Sequence, residues 1–298
     1  MCLAAISIGQ FDRFPLVLAA NRDEYLARPT APVDWWTPRP DGVAILSGRD
    51  LEAGGTWLGL GKNGRLALLT NVREPARQVS NAPSRGGLVT EWLESSESGA
   101  DFWQRQSAIP YNGYNLIAGD VREGRWFWGS NRSTGTMPLM PGLYGLSNAE
   151  LDTPWPKLVS LKQRLASATE RVAEQSGSVQ DLAWSMFVAL ADKGLAPDDS
   201  LPSTGVPKVW EKALSATFID AGERGYGTRC STVVVIENVR GKRITHVFEL
   251  SHATDPMAQR PDALLLSGPS AHVGEGSQRL ADLPGLRHVE LDDWPAAL

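Results

Sequence analysis

The chain has 298 residues, 42% of them hydrophobic and 21% charged, and a net charge of −5. Such a composition belongs to a globular protein and excludes a disordered one. Phosphate binding needs clustered Lys and Arg, so the acidic balance argues against nucleic acid as a partner, and no run of about 18 apolar residues is present to span a bilayer.

The opening Met1-Cys2-Leu3-Ala4-Ala5-Ile6 lacks the basic start, long apolar region and cleavage site of a signal peptide. A cytoplasmic protein is expected. Two cysteines, Cys2 and Cys230, are too few for a disulfide framework or a four-thiolate zinc site.

Cys2–Ile8 and Phe14–Ala20 are apolar runs separated by Gly-Gln-Phe-Asp-Arg, the pattern of a β-hairpin. Their continuous apolarity predicts strands covered on both faces. Further strands are expected at Val43–Leu46, Thr56–Leu60, Arg65–Thr70, Tyr114–Gly119 and Arg125–Trp128, punctuated by Gly and Asn. Ser84 can cap a helix through Leu88, Val89, Trp92 and Leu93. Thr153, with Pro154 in the first turn, can cap another, in which Leu158, Leu161, Leu165, Ala168 and Val172 recur at spacings of three and four. Val179–Asp192 is apolar all round and reads as a buried helix. Strands return at Ala216–Asp220, Ser231–Ile236 and Arg243–Leu250, after a Pro-rich loop over Ala196–Val209. The stretch from Gly274 to Leu298 is weakly patterned. No linker divides the chain, so residues 1–298 are expected to form a single domain of the α+β class.

If Ile8 faces Phe14 across the hairpin, Cys2 faces Ala20 and lies beside Asn21-Arg22-Asp23-Glu24. Removal of Met1 would leave Cys2 with a free α-amine, of ordinary pKa about 7.7–8.0, next to a thiol of about 8.5. An N-terminal amine can serve as base for its own side-chain nucleophile. Arg22 would favour the thiolate, and Asp23 could hold the ammonium. The competing reading is a small core cysteine beside a structural ion pair.

Met1-Cys2 followed by Leu18-Ala19-Ala20-Asn21-Arg22-Asp23-Glu24 resembles the opening of the NRDE family, which includes the transport-and-Golgi-organisation proteins of eukaryotes. Ser47-Gly48-Arg49-Asp50, Gly54-Gly55-Thr56-Trp57-Leu58-Gly59, Leu69-Thr70-Asn71, Asn112-Gly113-Tyr114-Asn115-Leu116, Tyr144-Gly145-Leu146-Ser147-Asn148 and Tyr226-Gly227-Thr228-Arg229 match its further pattern. The resemblance implies a four-layer αββα sandwich of the N-terminal nucleophile hydrolase type, similar in layout to the penicillin V acylase and bile salt hydrolase group. It also implies a site of Cys2, Arg22, Asp23, Asn148 and Arg229. Cys2 would attack an amide or ester carbonyl and form an acyl-thioester, the first expectation being the C–N bond of a small acyl-amide. Asn148 would give its side-chain NH₂ to the oxyanion, with Asn71 as a second donor, each such donor being worth about 2.7–4 kcal/mol. The competing reading of both Asn residues is turn chemistry. Arg229 would tune the thiolate or bind a substrate carboxylate.

Trp35 and Trp36, in a Pro-rich loop, are expected to line the substrate pocket. Cys230, one residue along a strand from Arg229, should face the other way and belong to the core. His246, His252, His272 and His288 show no metal-ligand spacing, so no metal or resident cofactor is expected. The alternative function is a binding or trafficking protein that keeps the fold without turnover and carries haem or a lipid or acyl ligand.

Overall fold

The computed structural model describes residues 2–252 and 276–292. The two apolar runs at the start of the chain form β1 (Cys2–Ile8) and β2 (Leu16–Tyr25). They pair antiparallel, with Ile8 opposite Leu16 and Cys2 opposite Arg22. The expected register is therefore wrong by two residues. The connection runs to Pro15, whose carbonyl accepts from the Gly9 amide at 2.8 Å, and Phe14 leaves the ladder for the core. The correction moves Cys2 from Ala20 to Arg22, into the polar tetrapeptide itself.

The strands that follow are β3 (Thr30–Trp36), β4 (Ile45–Asp50), β5 (Leu58–Gly61), β6 (Arg65–Asn71), β7 (Tyr114–Asp120), β8 (Arg125–Ser130), β9 (Thr136–Leu139) and β10 (Gly142–Leu146). Later in the chain come β11 (Asp220–Ala221), β12 (Tyr226–Val239), β13 (Lys242–Ser251) and β14 (Leu286–Asp292). Among the described residues six α-helices lie between them: α1 (Gly86–Glu94), α2 (Gly99–Ser107), α3 (Pro156–Glu174), α4 (Val179–Leu190), α5 (Lys208–Ala213) and α6 (Gly276–Ala281). One sheet runs β10-β1-β2-β12-β13-β14, with β11 against β12, and the other runs from β3 to β9 in chain order.

Side-chain alternation along the hairpin decides the layers. Leu3, Ala5, Val17 and Ala19 pack against Leu158, Leu161 and Leu165 of α3 and Leu182 and Phe187 of α4. Ala4, Ile6, Leu16 and Leu18 face the second sheet, meeting Leu46, Leu60, Leu66 and Leu68. The far side of that sheet packs Leu69, Leu116 and Ala118 against Leu88, Val89 and Trp92 of α1 and Phe102 of α2. The order is helix, sheet, sheet, helix, the four-layer αββα sandwich that the family resemblance implies. Each sheet is covered on both faces, which explains the continuous apolar runs.

Several boundaries differ from expectation for identifiable reasons. Trp35 and Trp36 sit on β3, not in a loop; β3 is an edge strand with a bulge between Ala31 and Asp34, where Pro32 is tolerated. Helix α1 starts at Gly86 with no side-chain cap, so Ser84 is not its cap. Helix α3 starts at Pro156, with Trp155 in the cap position; Thr153 instead donates to the Glu150 carbonyl at 2.8 Å. Of the expected Ala216–Asp220 strand only Asp220 is in a strand, the two-residue β11, laid against Tyr226 and Gly227. The weakly patterned end of the chain contains α6 and β14, and β14 extends the first sheet beyond β13. Among the described residues no helix is long and apolar enough to cross a membrane.

Candidate active site

The hairpin delivers Cys2 and Arg22 side by side at one end of the first sheet. Both project between the sheets, because they share parity with Ala4 and Ala20. They open into a cavity of about 420 Å³ whose walls also include Asp23, Glu24, Asn71, Trp57 and Arg85. Two turns of the second sheet build its rim. At Gly54, φ is +77°, a left-handed turn that glycine adopts without a Cβ clash. A Cβ at Gly55 would come within 2.5 Å of the Gly86 carbonyl carbon, so the loop before α1 lies directly on the Gly-Gly pair. Asn112 clamps that same loop, donating to the Val79 carbonyl at 2.9 Å and accepting from its amide at 2.8 Å.

Arg22 is held on three sides. Its guanidinium lies over the Trp57 ring at 4.4 Å, donates to Thr30 Oγ1 at 3.2 Å and reaches Asp50 Oδ2 at 3.4 Å. Asp50 is shared with Arg28, whose Nε donates at 2.8 Å. Burial would raise the Asp50 carboxyl, but the Arg28 hydrogen bond and the nearby charges overcome it and hold the group below its ordinary value. Asp50 is thus a carboxylate, and it fixes Arg22 beside Cys2. Glu24 stands 3.9 Å from the Arg22 guanidinium.

Burial pushes the Cys2 thiol above its ordinary value; the Asp23 charge adds to that push and Arg22 opposes it. Asp23 is also raised by burial, against the pull of Lys157 and a hydrogen bond from Thr228 Oγ1 at 2.7 Å. Lys157 is itself buried and its ammonium is pushed down to about 8 by desolvation, although Asp23 works against the shift. Its Nζ donates to the Leu214 carbonyl at 2.8 Å. Behind this pair Arg73 and Glu211 form a buried ion pair at 2.7 Å.

The other anticipated residues fall in different places. Asn71 ends β6 and lines the cavity. Asn148 is buried next to it; its Nδ2 donates to the Asn71 carbonyl at 3.0 Å, and its Oδ1 accepts from Arg73 at 3.4 Å. Arg229 occupies the bulge of β12 and donates through Nη1 to the carbonyls of Tyr25, Leu26 and Arg28 at 2.8–2.9 Å. It braces the turn that follows the tetrapeptide and is not among the cavity-lining residues. Cys230 lies in the core between the sheets. Trp35 and Trp36 lie outside the cavity walls: Lys62 covers the Trp35 ring, Arg49 covers the Trp36 ring, and Trp36 Nε1 donates to Ser47. The pocket tryptophan is Trp57.

Asn21 is architectural. Its Nδ2 donates to the carbonyls of Leu190 and Thr217 at 2.9 Å, and its Oδ1 accepts from Ser231 at 2.6 Å. Sequence reasoning passed over Trp57, Arg85 and Lys157. Lys157 did leave a signal, since it sits four residues before Leu161 on an apolar helix stripe, where a solvated lysine is out of place.

A cysteine paired with an arginine at the end of the first hairpin, inside an αββα sandwich, is the arrangement that the family resemblance implies. The chain belongs to the transport and Golgi organisation 2 family, whose profile matches residues 1–249. The Bos taurus transport and Golgi organization protein 2 homolog is 36% identical over 233 residues, 75% of this chain and 83% of its own. The Homo sapiens homolog is 35% identical over the same shares, and the Drosophila melanogaster protein is 26% identical over 250 residues, 76% of this chain and 83% of its own. Among solved structures, a Caenorhabditis elegans ortholog of N-acylethanolamine-hydrolyzing acid amidase superposes with a TM-score of 0.45 at 14% identity, covering 78% of this chain and 92% of that one.

Proposed function

We propose that this protein is an N-terminal-cysteine amidohydrolase that cleaves the C–N bond of a small polar acyl-amide. The observation that carries the reading is the ladder pairing of Cys2 with Arg22 at the mouth of a charged cavity. Removal of Met1 frees the Cys2 amine, which takes the thiol proton as Sγ attacks the carbonyl carbon. The C–S bond forms, the tetrahedral oxyanion collapses, the C–N bond breaks, and the proton passes to the departing amine. Water then hydrolyses the thioester. Asn71, at the cavity wall, donates to the oxyanion, and Asn148, whose Nδ2 holds the Asn71 carbonyl, supports it or offers its second N–H. Asp23 orients the ammonium, and Arg22 favours the developing thiolate.

The lining also supports a polar substrate over haem or a lipid. Arg22, Arg28, Arg85, Asp50 and Glu52 all face the cavity, and an apolar ligand would strip water from these charges without replacing it. Intact mass should show Met1 absent, and a thiol-directed acyl probe should label the protein but not a Cys2→Ala variant. Hydrolysis by protein that keeps Met1, or equal labelling of the variant, would refute the mechanism. A Soret shift on haem titration that survives Cys2→Ala and is competed by no acyl-amide would favour the carrier alternative.

A further inference from the structure

Histidines 42 residues apart in the chain meet across the last strand pair of the first sheet. In the β13–β14 ladder His246 stands opposite Glu290, and Phe248 stands opposite His288. His246 Nδ1 is 3.3 Å from His288 Nε2 and 3.3 Å from Glu290 Oε2. All three donor atoms lie within 4.8 Å of one another. One ring nitrogen carries at most one proton or one lone pair, so hydrogen bonding cannot satisfy both contacts fully, and each exceeds the usual length. A single cation at the centre satisfies all three atoms together. Ligands about 2.0–2.1 Å from zinc in tetrahedral geometry stand about 3.3 Å apart.

We infer that His246, His288 and Glu290 bind a divalent transition-metal ion of the zinc class, leaving the fourth position to water. Two imidazoles and one carboxylate are a donor set that suits such ions. The surroundings orient the ligands. The other nitrogen of His246, Nε2, faces Glu237 Oε2 at 3.7 Å, and Glu237 is fixed by Arg13, whose Nε donates to it at 2.9 Å. A carboxylate behind a metal-bound imidazole sets its tautomer and ring direction. His288 is stacked flat on Phe248, with ring centroids 4.0 Å apart and planes 7° apart. His246 is buried while Glu290 is half exposed, so the open position faces solvent. Neither spacing rules nor family likeness marks this site, because its ligands come from two strands and two of them lie beyond residue 249, where the family match ends. The ion would rivet β14 to the rest of the sheet.

The test uses full-length protein carrying Cys2→Ala and Cys230→Ala, so that thiols contribute nothing, stripped with EDTA and titrated with Co²⁺ at neutral pH. The expected result is saturation at one equivalent, with the visible absorption of four- or five-coordinate cobalt, reversed by Zn²⁺. His288→Ala and Glu290→Gln, at exposed positions, should each abolish that absorption while leaving the far-ultraviolet circular dichroism unchanged. Glu237→Gln should weaken binding about 10–100-fold without removing it. Zn²⁺ should slow hydrogen exchange in β13 and β14. Absence of saturable binding, or binding of equal strength in His288→Ala, would overturn the assignment.

Discussion

Replacing Glu249 with glutamine should reshape how stability depends on pH. Glu249 lies on β13 and points between the sheets, where its Oε1 accepts from the Val33 amide of β3 at 2.6 Å and its Oε2 from Thr232 Oγ1 at 3.3 Å. It therefore ties an edge strand of one sheet to the face of the other. Burial raises its carboxyl to about 6 from the ordinary 4.5, despite those hydrogen bonds, which favour the charged form. The folded state thus binds the proton more tightly than the unfolded chain does. This contribution to stability is complete below about pH 4.5 and disappears as pH rises through about 6. A difference of about 1.5 pH units corresponds to about 2 kcal/mol. In Glu249→Gln the group is neutral throughout, the amide oxygen can still accept from Val33, and the NH₂ can donate to Thr232. Urea denaturation of both proteins at pH 4.5 and pH 7 measures the effect as a difference of differences, which cancels any pH-independent misfit of the glutamine. Relative to wild type, the variant should gain about 2 kcal/mol between the two pH values. An unchanged gap would refute the assignment of this titration to Glu249.

Further substitutions probe the ion pair behind the cavity and the turn at its rim. Arg73→Met should cost about 3–5 kcal/mol by leaving Glu211 ionised and buried. Adding Glu211→Gln, which keeps an acceptor for the Thr204 amide, should recover part of that loss in urea melts; equal losses in the single and double variants would show that the pair is not coupled. Gly55→Ala should destabilise by about 1–3 kcal/mol, because its Cβ meets backbone that cannot yield. Since the displaced loop carries Arg85, labelling of Cys2 by the acyl probe should slow as well. Gly54→Ala, strained only by its positive φ, should lower the melting temperature and leave labelling intact; equal labelling of both variants would refute the contact.

Legibility in the sequence followed the range of the interaction. Apolar period and punctuation located most strands and both long helices, because those signals act within a few residues. Leu158, Leu161, Leu165, Ala168 and Val172 are all buried, as their spacing predicts. What failed depended on partners far along the chain. The hairpin register could not be read from the two runs alone, since Pro15 and the core position of Phe14 lengthen the loop. Trp35 and Trp36 looked loop-bound because Pro32 precedes them, yet an edge strand accepts a proline. Trp57 was quoted as part of a motif without a role, and its place under Arg22 exists only once β2 and the turn before β5 are stacked. The pairing of His246 with His288 needs β14, whose weak pattern reflects a strand at the rim of the sheet with several exposed residues.

The register correction bears on chemistry as well as on topology. With Cys2 opposite Ala20, Arg22 would lie one step beyond the thiol; in the observed register the two residues are cross-strand partners, and Asp50 and Trp57 keep the Arg22 guanidinium in place. In the chain that carries Met1, burial and Asp23 raise the thiol above its ordinary value, against the N-terminal charge and Arg22. Under the proposed mechanism the proton must leave as the carbon–sulfur bond forms, and the acceptor must be within reach and have a pKa near neutrality. The Cys2 α-amine, ordinarily about 7.7–8.0, meets both conditions once Met1 is gone. In that mechanism, Met1 removal would be the step that creates the base.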